Sequence, residues 1–182
     1  MSKHIFLILG LATLIVVSAN AQSVSLGPQI GYQRSRDADD GKMMVGAALR
    51  MRLSPGLGLE GSLGYRDQSY SNGAVTVREW PVMVTGLVYV FPVVYGAMGA
   101  GWYNTSFDYD EGRFPPRAVV DETKQSVGWH FGGGLELPTG AGSKLTADLR
   151  YVFLDYNFTA VPGSSGVNSN FYIFSVGYLF DL

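Results

Sequence analysis

The 182 residues contain no cysteine. That excludes disulfide staples, thiolate nucleophiles and cysteine-ligated metals. Charge is scarce: Asp, Glu, Lys and Arg make up 15%, against about 25% in a typical soluble protein. The 13 Lys and Arg are scattered, and the net charge is −2, so nothing points to nucleic acid. Beyond the first 21 residues no long apolar run occurs. Arg, Asp, Gly or Pro interrupts every such stretch, so no spanning helix is expected there. What is abundant is aromatic residues, at 13%, and glycine, at 24 residues. A chain this apolar without a spanning helix can still live in lipid as a closed β-barrel, where every backbone polar group pairs between strands.

The beginning of the chain reads as an export signal. Lys3 and His4 form a short positive front, Ile5 to Val17 is apolar, and Ala19 and Ala21 give a small-x-small pattern. Cleavage is expected after Ala21. A retained anchor is the alternative, but the run is shorter than the roughly 20 residues that span a bilayer. This leaves residues 1–21 as signal peptide and 22–182 as one domain.

Alternation dominates that domain. Val24, Leu26, Pro28, Ile30 and Tyr32 oppose Ser25, Gly27, Gln29, Gly31 and Gln33. Met43, Val45, Ala47, Leu49, Met51 and Leu53 oppose Lys42, Gly46, Arg50 and Arg52. Leu57, Leu59, Leu63 and Tyr65 oppose Gly58, Glu60, Ser62 and Arg66. Later, Val127, Trp129, Phe131, Leu135 and Leu137 oppose Ser126, His130 and Glu136. Leu145, Ala147, Leu149, Tyr151 and Phe153 oppose Thr146, Asp148 and Arg150. At the end of the chain Tyr178, Phe180 and Leu182 oppose Gly177, Leu179 and Asp181. Period 2 sustained in this way is the signal of β-strands with one apolar face.

Two segments are less clear. Residues 77–91 are apolar on both faces; the favoured register points Trp80, Val82, Val84, Val88 and Val90 outward and Glu79 inward. Residues 93–104 are small and Gly-rich, and their faces stay unassigned. The total is about eight strands. Short turns fall at Ser54 to Gly56, around Phe91 and Pro92, and at Pro138 to Ser143. Longer polar connections fall at Ser35 to Gly41, Tyr70 to Gly73, Phe107 to Glu122 and Phe158 to Ser169. Short turns alternating with long loops are the layout of an antiparallel up-and-down outer-membrane β-barrel.

The stretch Gly128 to Phe153, GWHFGGGLELPTGAGSKLTADLRYVF, resembles the last hairpin region of the small bacterial outer-membrane β-barrel family, which includes OmpA-type transmembrane domains, OmpX-like proteins and opacity-type proteins. Asp148, Leu149, Arg150 and Tyr151 take the place of that family's acidic-x-Arg-Tyr pattern. The ending SVGYLFDL resembles the family's C-terminal assembly signal, with Ser175, Gly177, Phe180 and Leu182 at its positions and Leu182 where Phe or Trp is usual. The resemblance implies location in the bacterial outer membrane, contact with its lipid and insertion by the barrel-assembly machinery. It implies no particular activity.

Seven charges are expected to face the lumen: Arg50, Arg52, Glu60, Arg66, Glu136, Asp148 and Arg150. The interior of an eight-stranded barrel is just wide enough for side chains to fill, and buried charges persist there only when paired. A structural network that plugs the lumen is the expectation; a gate or narrow pore lined by the same charges is the rival. His130 lacks the neighbouring serine that barrel-embedded hydrolases pair with histidine, so it reads as a polar lumen residue. Gly56 to Gly61 spells G-x-G-x-x-G but leads into a strand, whereas a dinucleotide site needs a helix there. Asp37, Asp39, Asp40 and Gly41 form an acidic turn, with weak calcium binding as the functional alternative. The loop 107–122 is the longest and is the candidate for an extracellular ligand. Asn104-Thr105-Ser106 and Asn157-Phe158-Thr159 spell glycosylation acceptors, which have little meaning on a bacterial barrel.

Taken together, the residues predict an all-β transmembrane barrel with a structural or surface-interaction role. It is expected to act as a monomer, with no enzyme activity, cofactor or metal. A narrow porin-like channel for small solutes or apolar molecules is the alternative. A secreted ligand-binding barrel of lipocalin type would need the opposite pattern, apolar inside and polar outside.

Overall fold

The computed structural model describes residues 22–35, 41–70, 75–109, 122–154 and 170–182. The expected signal peptide, the acidic turn at Asp37, Asp39 and Asp40, Asn157-Phe158-Thr159 and the middle of loop 107–122 lie outside these residues.

Eight strands follow in order: β1 (Ser23–Ser35), β2 (Lys42–Ser54), β3 (Leu57–Tyr70), β4 (Val75–Phe91), β5 (Val94–Tyr109), β6 (Glu122–Gly140), β7 (Ser143–Leu154) and β8 (Phe171–Asp181). Each pairs antiparallel with its neighbour in sequence, and β1 pairs with β8, so the sheet closes into a barrel. Closure leaves no strand edge along the paired length. The strands run from 11 to 19 residues, at or beyond the 9–11 or so that a tilted membrane strand needs.

Three tight turns and both ends of the described chain lie at one end of the barrel, the turn end. The β6–β7 turn holds Gly140, Ala141 and Gly142 at φ of 87°, 50° and 68°, a left-handed run in which glycine carries two of three positions without steric cost. The seam between first and last strands extends to the backbone of Leu182, whose N–H donates to Val24 O at 2.9 Å.

Alternation decides the faces. Leu26, Ile30, Leu63, Val84, Phe131 and Phe174 all point outward and are exposed, and Met98 and Trp129 are 71% and 68% exposed. The favoured register of β4 matches: Trp80, Val82, Val84, Val88 and Val90 are outside and Glu79 is buried inside. On β5, where the sequence left the faces open, Tyr95, Ala97 and Tyr103 point inward, and Met98 and Trp102 outward. Met51 departs from its row. It has outward parity but is buried, flanked in register by the half-buried Val24 and Leu59.

The apolar outer face has a sharp upper limit. Two residues on from Tyr65, Trp80, Trp102 and Val127, the outward positions become Asp67, Arg78, Asn104 and Gln125. These polar residues are register neighbours, Asp67 opposite Arg78 and Asn104 opposite Gln125. Tyr32 followed by Arg34 repeats the step on β1. Rings above and polar side chains beyond mark a lipid–water boundary. Strands β3 to β6 continue three to five residues past it, forming a four-stranded wall on one side. Asn104 sits within this wall. Its side chain donates to Trp80 O at 3.2 Å and accepts from Gln125 at 2.8 Å, so the acceptor spelling there lies in a strand and not in a loop.

Candidate functional site in the barrel lumen

The inward rows of the eight strands meet inside the barrel, and they sort into two layers by position along the strands. The layer toward the turn end is charged. Arg50 on β2 donates from Nε to Glu60 Oε2 at 2.9 Å, from Nη1 to Glu136 Oε2 at 3.0 Å and from Nη2 to Tyr95 OH at 2.9 Å. Arg150 on β7 donates to Glu60 Oε1 at 2.6 Å, to Asp148 Oδ1 at 2.9 Å and to Thr85 Oγ1 at 3.1 Å. Arg52 donates to Glu136 Oε1 at 3.1 Å. The tyrosines close the set: Tyr89 OH donates to Glu136 at 2.8 Å and Tyr95 OH to Asp148 at 2.7 Å. Both rings also lie under guanidinium groups, Arg52 at 3.6 Å from the Tyr89 centroid and Arg50 at 4.6 Å from that of Tyr95.

Six of the seven expected lumen charges therefore come together, three arginines with three carboxylates. Arg50, Glu60, Glu136, Asp148 and Arg150 are buried, and Arg52 is partly open. Burial of this kind is tolerable because each charge has more than one oppositely charged or hydrogen-bonding neighbour. The seventh, Arg66, stands apart. It lies six residues along β3 from Glu60, roughly 20 Å at the strand rise, and pairs with Glu79, its register partner on β4.

The layer toward the loop end is apolar. Met44, Met83 and Tyr103 are packed with Val152 and Leu154 of β7, and with Phe171 and Ile173 of β8. Each is at most 3% exposed. Tyr103 meets Phe171 edge-on at 5.6 Å, and its hydroxyl lies 3.6 Å from Met83 Sδ. This layer and the tyrosines of the charged one were not identified from sequence. The available signal was β4 itself, whose apolar character on both faces requires apolar side chains inside as well as out.

His130 sits near the junction of the layers. It is buried, and its Nε2 lies 2.9 Å from Thr85 Oγ1. No group of three or more potential metal ligands occurs among the described residues. Gly56 to Gly61 forms the β2–β3 turn and the start of β3, with no helix to complete a phosphate cradle. The C-terminal residues divide between faces: Ser175 and Gly177 point into the lumen, while Phe180 and Leu182 point outward at 51% and 81% exposure.

A closed eight-stranded barrel with an apolar outer belt has known counterparts. The chain matches the family model described as outer membrane protein beta-barrel domain over residues 6–180. The chain belongs to this outer-membrane β-barrel family. Among solved structures, the family's fold is shared with a major outer membrane protein of Thermus thermophilus, at TM-score 0.61 and 13% identity, covering 88% of this chain and 98% of that one. Neisserial surface protein A aligns at TM-score 0.59 and 13% identity, covering 88% and 96%. Ail, the attachment invasion locus protein of Yersinia pestis, aligns at 0.55 and 16% identity, covering 88% and 97%. No curated protein sequence matches the chain. At these identities the structural likeness speaks for the fold. Membership of the family places the barrel in the bacterial outer membrane, its outer belt in lipid, its turn end toward the periplasm and its loop end outside.

Proposed function

We propose that this outer-membrane barrel is a closed scaffold with a structural or surface-interaction role, and that it acts as a monomer without enzymatic activity, cofactor or metal. The observation that carries the reading is the lumen, occupied by a charged layer and an apolar layer in succession. The wall of β3 to β6 beyond the lipid boundary supports a role at the cell surface, since loop 107–122 is mounted on it and loops on rigid scaffolds carry binding function. Ail has been solved in complex with the heparin analogue sucrose octasulfate; for the present chain an extracellular ligand at loop 107–122 is the corresponding proposal. The chain is exported on residues 1–21 and cleaved after Ala21. The barrel-assembly machinery reads Ser175, Gly177, Phe180 and Leu182.

Two measurements test this. Electrophoresis of outer-membrane material in SDS, boiled against unboiled, should show a shift in migration, and the purified barrel should give no conductance steps in planar bilayers. A second reading, a narrow channel for small solutes or apolar molecules, draws on the buried Ser62 Oγ, His130 Nδ1 and Arg150 Nε, which have no hydrogen-bond partner among the described residues. Such atoms favour internal water. Discrete conductance from the wild-type barrel would put the channel first.

A further inference from the structure

Two different materials fill the lumen, and they differ in how they respond to water. A charged side chain that swings aside can be rehydrated and can carry ions past. An apolar plug has no such route, because water gains nothing by entering it and a narrow apolar constriction stays dry. Which layer bars the lumen therefore depends on whether the apolar one reaches the wall all the way round.

It does so through glycine. Four inward glycines lie against the apolar layer on β1, β3, β5 and β6. A Cβ added at Gly31 would stand 3.0 Å from Met44 Cε, and one at Gly64 would stand 2.7 Å from Met44 Sδ. At Gly101 it would meet Met83 Cγ at 3.0 Å, and at Gly128 Leu154 Cδ1 at 3.0 Å. The Gly64 distance is shorter than real Cβ atoms show and the other three are tighter than most, so the plug lies directly against the glycine backbone at all four positions. The plug itself comes from the other four strands and from β5: Met44 from β2, Met83 from β4, Tyr103 from β5, Val152 and Leu154 from β7, Phe171 and Ile173 from β8. All eight strands thus contribute either an apolar side chain or a glycine packed directly against one. Of the four buried polar side-chain atoms without partners among the described residues, Ser62 Oγ, His130 Nδ1 and Arg150 Nε belong to residues on the turn-end side of this layer or at its edge, where water can be held; the fourth, Gln33 Oε1, lies toward the loop end, in register with Ile173.

We propose that the apolar layer is the septum that closes the barrel to water and ions, while the charged layer beneath it holds the strands together without sealing the lumen. The Arg66–Glu79 pair sits above the septum, near the outer mouth, so it does not seal the lumen either. This rests on the closed-barrel reading and assigns the closure to particular residues. Water from the periplasm reaches the charged layer and stops at Met83 and Ile173.

The experiment is single-channel recording on the full barrel in planar lipid bilayers, with SDS resistance of the unboiled protein confirming that each variant is folded. Wild type is expected to be silent. The charge-layer variants Glu60→Gln and Arg150→Gln are expected to stay silent while losing stability. The septum variant Met83→Ser/Phe171→Ser is expected to conduct in discrete steps. If it does not fold, Met83→Ser alone is recorded, with steps of lower conductance expected. Conductance from the charge-layer variants with silence from folded septum variants overturns the proposal. Silence from every folded variant also overturns it, since a single layer would then not be the barrier. Conductance from wild type instead refutes the closed-barrel reading on which it stands.

Discussion

Arg150 of β7 reaches across the barrel to Glu60 of β3, four strands away, at 2.6 Å. Glu60 in turn accepts from Arg50 of β2, so one carboxylate ties three strands through the centre of the lumen. Replacing it with alanine leaves two buried guanidinium groups short of a partner. Breaking a buried pair in this way costs about 3–5 kcal/mol. Glu60→Ala should lower the temperature at which the unboiled band converts to the unfolded one by a wide margin, and Glu60→Gln by less. Unchanged conversion temperatures in both would show that the network contributes nothing to stability.

The seam at the turn end should behave differently. Lys144 Nζ lies 2.8 Å from Asp181 Oδ1, and Ser25 Oγ donates to the same oxygen at 2.6 Å. This joins β7, β8 and β1, but the Asp181 side chain is 34% exposed. Ion pairs open to water contribute at most about 1 kcal/mol. Lys144→Met is therefore expected to move urea unfolding in detergent micelles only slightly, and far less than Glu60→Ala. A loss as large as that of Glu60→Ala would mean that the seam is sheltered from solvent.

Close approach of backbones predicts a pair of opposite outcomes for one substitution. A Cβ at Gly27 would stand 1.9 Å from the carbonyl oxygen of Tyr178, across the β1–β8 seam, whereas one at Gly61 would have nothing within 4 Å. Gly27→Ala must push the closing strands apart, which overpacking usually makes unfavourable by about 1–3 kcal/mol. The fraction of chains reaching the SDS-resistant form should drop for Gly27→Ala and stay at the wild-type value for Gly61→Ala. Equal yields would place the seam elsewhere.

The lipid boundary can be located residue by residue, because the chain has no cysteine to interfere. Spin labels at Leu63→Cys and Val82→Cys should be relaxed by oxygen, which partitions into the hydrocarbon. Labels at Asp67→Cys and Gln125→Cys should be relaxed by a water-soluble nickel chelate. A label at position 67 or 125 that behaves like one at position 82 would move the boundary outward and shorten the wall.

Alternation made the strands and their outer faces legible, since lipid on one side and a lumen on the other impose contrast at every second residue. It also placed Glu79 inside, where it pairs with Arg66. It could not place residues along the barrel axis: period 2 reports a face and says nothing of height, which is why Arg66 grouped with charges that lie some six residues away. On β5 the contrast disappears. Glycine and alanine occupy both parities there, and the inward direction of Tyr95 and Tyr103 depends on pairing with β4 and β6. The septum was hidden for a related reason. Met44, Val152 and Ile173 are apolar residues in the polar row, and only assembly of all eight strands shows that they meet at one level.

The charged layer has one more property, visible in its composition. Arg50, Arg52 and Arg150 face Glu60, Glu136 and Asp148, so positive and negative charges are equal in number. A potential across a membrane acts on each elementary charge with about 2.3 kcal/mol per 100 mV, in opposite directions for the two signs. Here the pulls on arginines and carboxylates cancel, and the layer as a whole feels no thrust along the axis. Voltage sensors carry a surplus of one sign and move. This lumen carries counterweights, three of each sign.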